Sequence, residues 1–225
     1  MTRPLVIVRP EPGCSATVAA ARAAGLEAIA SPLFEIEPAG WTPPDPDQFD
    51  ALLAGSANAF RHVSTGLSRL AALPVYAVGE RTSEAAREAG FTVARTGNGD
   101  MQALVDALSP PLRLLRLAGE VRTEIASPPG IEVAECVLYR AAPRVLAEEA
   151  ARALREGGCA ALHSGEAARR FAHECDRLDI PRTDVALVAL SPRIAGAAGA
   201  GWGAVRTAPE VSDAALLVLA AQLCQ

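Results

Sequence analysis

The chain has 225 residues, a mass of 23.3 kDa and a formal net charge of -5, with half of its residues hydrophobic and 21% charged. This composition supports a substantial buried core and excludes a disordered chain, and an acidic balance without a basic cluster excludes a duplex-binding face. All 21 basic residues are arginine, so Schiff-base chemistry, pyridoxal phosphate attachment and a phosphate-loop lysine are excluded together.

Met1-Thr2-Arg3-Pro4 leads directly into a short apolar run. That start is neither a signal peptide nor a membrane span, so a cytoplasmic protein is expected. Residues 5–8 read as a buried strand, 15–24 as a helix stopped by Gly25, and 27–36 as a second strand. Four prolines (Pro38, Pro43, Pro44 and Pro46) make 37–46 a connection. Further strands are expected at 51–54, 75–79, 92–94, 112–117 and 133–140, the last ended by Pro143. A helix follows over 146–155, then strands at 160–163, 185–190 and 204–207, and a closing helix over 212–223.

Strands alternating with helices predict an α/β protein with parallel sheets covered on both faces. About nine strands in this length fit two small sheets better than one. A weak internal repeat agrees. At an offset of 112 residues, Gly79 matches Ser191, Val93 matches Val205, and Ala103-Leu104 match Ala215-Leu216. Gly25-Leu26-Glu27 matches Gly130-Ile131-Glu132 at an offset of 105, which sets Phe34 opposite Tyr139. The expected organisation is two small doubly wound domains. The first is discontinuous, 1–36 plus 143–225; the second is 47–135; 37–46 and 136–142 form a two-stranded connection.

The five cysteines (Cys14, Cys136, Cys159, Cys175 and Cys224) never form C-x-x-C, and the three histidines (His62, His163 and His173) show no metal-ligand spacing. Reduced thiols and no metal site are expected. Gly199-Ala-Gly201-Trp-Gly203 does not follow a strand and open a helix, so no dinucleotide site is expected.

Doubly wound sheets bind ligands at the carboxyl ends of their strands, beside helix starts. The turns expected there carry Arg9, then Ser56-Ala57-Asn58, Gly79 and Thr82, Gly119, Ser164, and Ser191 with Arg193. Small and hydroxyl-bearing residues expose backbone N–H groups that bind carboxylate or phosphate; each serine also reads as an ordinary helix cap. Tyr139 sits on the returning connection, where a phenol protonated at pH 7 donates a hydrogen bond or proton to a departing hydroxide, or else simply packs at a junction.

In order, Leu5-Val-Ile-Val-Arg9-Pro10, Ser31-Pro32-Leu33-Phe34-Glu35-Ile36, Ser56-Ala57-Asn58-Ala59, Val75-Tyr-Ala-Val-Gly79, Leu117-Ala-Gly119-Glu120 and Val137-Leu-Tyr139-Arg140 resemble the uroporphyrinogen-III synthase family over nearly the whole chain. The resemblance implies two α/β domains joined by two strands. It also implies cyclisation of linear hydroxymethylbilane, a tetrapyrrole with eight carboxylates, to uroporphyrinogen III, with loss of water, inversion of the last ring, and no cofactor. It makes Tyr139 the candidate for assisting hydroxide departure. The strand-end turns supply Arg9, Ser56, Ala57, Asn58, Gly79, Thr82, Gly119, Ser164, Ser191 and Arg193 as the candidate substrate contacts, and a monomer with neither a nucleic-acid nor a membrane partner is expected. Two departures stand out: Val8 replaces the family's Thr before Arg-Pro, and Ser191-Pro192-Arg193-Ile194 replaces Gly-Pro-Thr-Thr. The alternative is a non-catalytic two-domain binding protein for a small polyanion.

Overall fold

The structure is a computed structural model that describes residues 3–62 and 66–224. The chain folds as two compact units: unit 1 is Met1–Glu35 with Ala142–Gln225, and unit 2 is Ile36–Ala141.

Unit 1 is built on β1 (Leu5–Ile7), β2 (Ala28–Ala30), β9 (Cys159–Leu162), β10 (Ala186–Ala189) and β11 (Ala204–Thr207), all parallel, in the order β11-β10-β9-β1-β2. Its inner strands β1, β9 and β10 are short, fully buried apolar runs because both faces are covered. On one face α1 (Gly13–Ala23) and α8 (Asp213–Leu223) pack Cys14, Val18, Leu216 and Ala220 against Leu5, Ile7, Ala161 and Val188. On the other, α5 (Glu148–Arg155) packs against β1 and β2, α6 (Gly165–Arg177) against β9 and α7 (Pro192–Ala197) against β10.

Unit 2 repeats the plan. Strands β4 (Ala51–Ala54), β5 (Val75–Ala77), β6 (Val93–Thr96), β7 (Leu112–Gly119) and β8 (Ile131–Pro143) are parallel in the order β8-β7-β4-β5-β6, and β3 (Phe34–Pro38) lies beyond β8. One face packs Phe60 of α2 (Asn58–Arg61) and Ala85 and Ala86 of α3 (Glu80–Glu88) on Leu52, Val75, Leu115 and Leu138. The other packs Leu104 and Val105 of α4 (Met101–Asp106) on Leu53, Leu114 and Ile131.

The repeat noticed in the sequence maps onto this plan. Val93 and the residue before Val205 open β6 and β11, and Gly79 and Ser191 precede α3 and α7. Gly25 and Gly130, with φ of 79° and 81°, turn the chain into β2 and β8 in the left-handed conformation that glycine tolerates.

One element is corrected. Residues 27–36 are not one strand: β2 ends at Ala30 and β3 begins at Phe34, in different sheets. Pro32 lacks an N–H to continue a ladder, and the intervening Ser31 and Leu33 instead donate to Ile7 O and Val8 O. The proline-rich stretch likewise yields β3 and, at Pro46–Gln48, one tight helical turn capped by Asp45.

Candidate functional site

In each sheet the chain leaves its central pair of strands in opposite directions. In unit 2, β4 proceeds to β5 and β6, while β7 proceeds to β8. The carboxyl ends of β4 and β7 therefore flank a topological switch point, where helices do not close over the sheet edge and a crevice remains. A cavity of about 510 Å³ opens there. Gly55 and Ser56 follow β4, Gly119 ends β7, and Tyr139 of β8 forms a wall. A second cavity of about 490 Å³ shares Gly55, Val78 and Gly99 with the first and adds Gly79 and Thr82 at the start of α3.

Tyr139 is aimed by a bulge. Ala118 pairs with Val137 but Gly119 pairs with Tyr139, so Leu138 is an extra residue on β8. Leu138 is fully buried in the core below, and the Glu120 N–H donates to Tyr139 O at 2.9 Å. A bulge re-aims the next side chain and bends its strand. The Tyr139 ring lies close against Gly119 and packs, partly buried, on the core cluster.

The other expected contacts of unit 2 differ among themselves. The Ser56 hydroxyl accepts from Asn58 N at 3.2 Å, shaping the turn after β4. Ala57 packs against the core cluster, and neither it nor Asn58 lines the two cavities. Thr82 is buried and faces the smaller cavity with only a small part of its surface.

Sequence reasoning missed two arginines. Arg116 lies mid-strand in β7, its side chain only 5% exposed, and it lines the larger cavity. Its Nη1 donates to Glu135 Oε1 at 2.7 Å and its Nη2 to Thr123 O at 2.9 Å. Arg122 donates through Nε to Glu135 Oε2 at 2.8 Å and through Nη1 to Glu120 O at 2.9 Å. Burial pushes the Glu135 carboxyl up, but Arg122 and Arg116 together outweigh it and hold the group below the usual carboxylate range. The available signal was a charge inside the apolar run Leu114-Leu115-Arg116-Leu117.

Unit 1 has its own switch point between β1 and β9. Arg9 follows β1 and His163 follows β9. Arg9 is already engaged: Nη1 lies 2.7 and 3.0 Å from the two Asp213 carboxylate oxygens and 3.3 Å from Thr17 Oγ1, which itself donates to Asp213 Oδ2 at 3.1 Å. His163, 5% exposed, stands 3.5 Å from Asp213 Oδ1 without a hydrogen bond, and neither ring nitrogen has a partner among the described residues. Burial, then the Arg9 charge, lowers its pKa to about 4 against a smaller opposing pull from Asp213. Ser164 and Ser191 cap α6 and α7, accepting from Ala167 N and Ile194 N. Each such cap contributes about 1 kcal/mol. Arg193 is exposed and makes no ion pair among the described residues.

Among the described residues no group of three or more His, Cys, Asp or Glu is placed to hold a metal, and no helix is long and apolar enough to cross a membrane. All five cysteines are free.

The family model for uroporphyrinogen-III synthase HemD matches residues 15–218. The chain belongs to the uroporphyrinogen-III synthase family. Similar solved structures include the uroporphyrinogen-III synthetase from Helicobacter pylori 26695, at 22% identity and a TM-score of 0.64, covering 98% of this chain and 99% of that one. A mutant uroporphyrinogen III synthase from the extremely thermophilic bacterium Thermus thermophilus gives 19% identity and a TM-score of 0.53, again covering 98% and 99%. At these identities both likenesses concern the fold, which is that of the synthase structures. Comparison with curated proteins gives no match. The matched region holds the ordered motifs from Ser31 to Tyr139, while Arg9-Pro10 lies before it.

Proposed function

We propose that this chain cyclises hydroxymethylbilane to uroporphyrinogen III, with loss of water and inversion of the last pyrrole ring. Membership of the synthase family supports the reaction class. The observation that carries the residue-level reading is Tyr139 on the wall of the switch-point cavity, seated over Gly119.

In this reading the two units serve as the two domains, and the substrate's eight carboxylates are met by backbone N–H groups and arginines. Ser56, Ala57, Asn58, Gly79, Thr82 and Gly119 contribute from unit 2; Arg9, Ser164, Ser191 and Arg193 contribute from unit 1. Arg193 stands where the family's usual turn carries a hydroxyl, and supplies a guanidinium instead. A hydroxymethylpyrrole loses hydroxide readily, so the barrier is chiefly one of placement. The C–O bond of the hydroxymethyl group breaks, its electron pair leaves with the oxygen, and a proton from the Tyr139 phenol makes the departing group water; the proton released when the macrocycle closes restores the phenol. The methylene carbon left behind bonds to the substituted carbon of the last ring; the original methylene bond at that carbon then breaks and re-forms at the ring's free α-carbon, whose proton leaves, and the ring is inverted. The reading extends to a cytoplasmic monomer acting on a free tetrapyrrole.

The test is cyclisation of enzymatically generated hydroxymethylbilane by the purified protein. Type III product supports the proposal; type I alone, the spontaneous isomer, contradicts it, and tight binding without turnover favours a binding protein.

A further inference from the structure

We propose that Arg116 and Arg122 form a carboxylate-binding subsite at the unit 2 switch point, and that Glu135 is a resident carboxylate which substrate carboxylates displace or share. The inference deepens the proposed function, on which its choice of ligand rests.

Four observations support it. The side chain of Arg116 is almost entirely withdrawn from bulk water, yet Arg116 lines a cavity of about 510 Å³. Two cations meet a single anion, since Glu135 gives one oxygen to each arginine. Asp100 and Glu124 also line this cavity, but Asp100 is turned to accept from Ala103 N and, among the described residues, neither forms an ion pair with these arginines, so the Arg116–Arg122–Glu135 cluster keeps one excess positive charge that favours a second carboxylate beside it. Donors also remain available: Arg116 Nε and Arg122 Nη2 have no protein partner among the described residues, and guanidinium forks match carboxylates two bonds at a time. Finally, both arginines hold the segment after β7, through Glu120 O and Thr123 O, so a ligand that captures them also orders the rim bearing Val121, which is 77% exposed.

A purely structural role, with Glu135 simply pinning two arginines and a loop, predicts that every substitution here is neutral or harmful to ligand binding. A subsite predicts that removing the resident competitor helps. The experiment measures KM and kcat with hydroxymethylbilane, and the Kd of uroporphyrin III, the oxidised coloured form of the proposed product, by absorbance titration. Arg122→Gln should raise KM and Kd about tenfold while kcat changes far less. Glu135→Gln should lower Kd at least threefold. Glu132→Gln, which removes the same charge from the same strand away from the cavity, should leave Kd unchanged. Wild-type Kd in Arg122→Gln, or an unchanged or weaker Kd in Glu135→Gln, overturns the subsite, as does an equal gain in Glu132→Gln, which would make the effect one of net charge. Arg116→Gln should mirror Arg122→Gln; where it does not fold, the two exposed-side variants still decide. Should wild type bind uroporphyrin III but form no type III product, the Kd pattern still tests the subsite while the cyclase reading fails separately.

Discussion

The Tyr139 ring sits directly on Gly119: a methyl group built on the Gly119 Cα would lie 2.7 Å from Cε2 and 3.1 Å from the phenol oxygen. Gly119 is not in a left-handed conformation, so the demand for glycine is steric and comes from the tyrosine. Gly119→Ala should push the ring off its position, costing about 1–3 kcal/mol and slowing kcat tenfold or more. Gly196→Ala is the control, because a methyl there meets nothing within 4 Å. Thermal melts and steady-state rates on both variants check this.

Tyr139→Phe keeps the ring and its packing against the core but removes the hydroxyl. A positioned proton donor contributes typically 10²–10⁴-fold. The expected result is a melting temperature close to wild type with kcat reduced at least tenfold. A wild-type rate would remove the phenol from the mechanism.

His163 makes unit 1 sensitive to acid. Its pKa in the folded chain, about 4, lies below the ordinary value of 6.5, so between these values the unfolded chain binds the proton and the folded one does not. Stability therefore rises with pH across this window and is lost as pH falls through it. The groups facing the ring are Arg9, which opposes protonation, and Asp213, which favours it less strongly. Denaturant titration at pH 7.5 and pH 5 should differ by about 2 kcal/mol from this residue, and His163→Leu should abolish that share of the difference.

Glu174 is fully buried on α6, accepting from Leu146 N at 2.9 Å and pairing with Arg170 and Arg177. Burial pushes its carboxyl up, but Arg177, the Leu146 N–H and Arg170 outweigh this and keep it below the usual range. The contact anchors the chain where it leaves β8 for α5. Glu174→Ala should cost about 3 kcal/mol, the low end for a broken buried pair, because Arg177 can turn to water. Equilibrium unfolding measures it.

The legible part of the fold was local. Apolar runs, glycine stops and serine caps are short-range signals, and two copies of them exposed the repeat from Val93 and Val205 to the paired glycines 25 and 130. The candidate turns were legible because strand ends follow from the strands. What escaped depends on contacts far apart in sequence. Arg9 reads as a free receptor until Asp213, 204 residues on, is found holding it. Arg116 is hidden in a run whose apolar character marks it as strand, and its partner Glu135 lies on a neighbouring strand. Pro32 marks the break at Ser31-Pro32-Leu33 locally, but that the chain then joins the other sheet at β3 is a long-range pairing no propensity encodes.

The isomer composition of the cyclised product tests the central claim most directly. Hydroxymethylbilane is allowed to react with increasing amounts of the protein, the porphyrinogens are oxidised, and the type I and type III uroporphyrins are separated. The account predicts a type III fraction that rises with protein until it dominates; a product that stays type I at every protein concentration would contradict it.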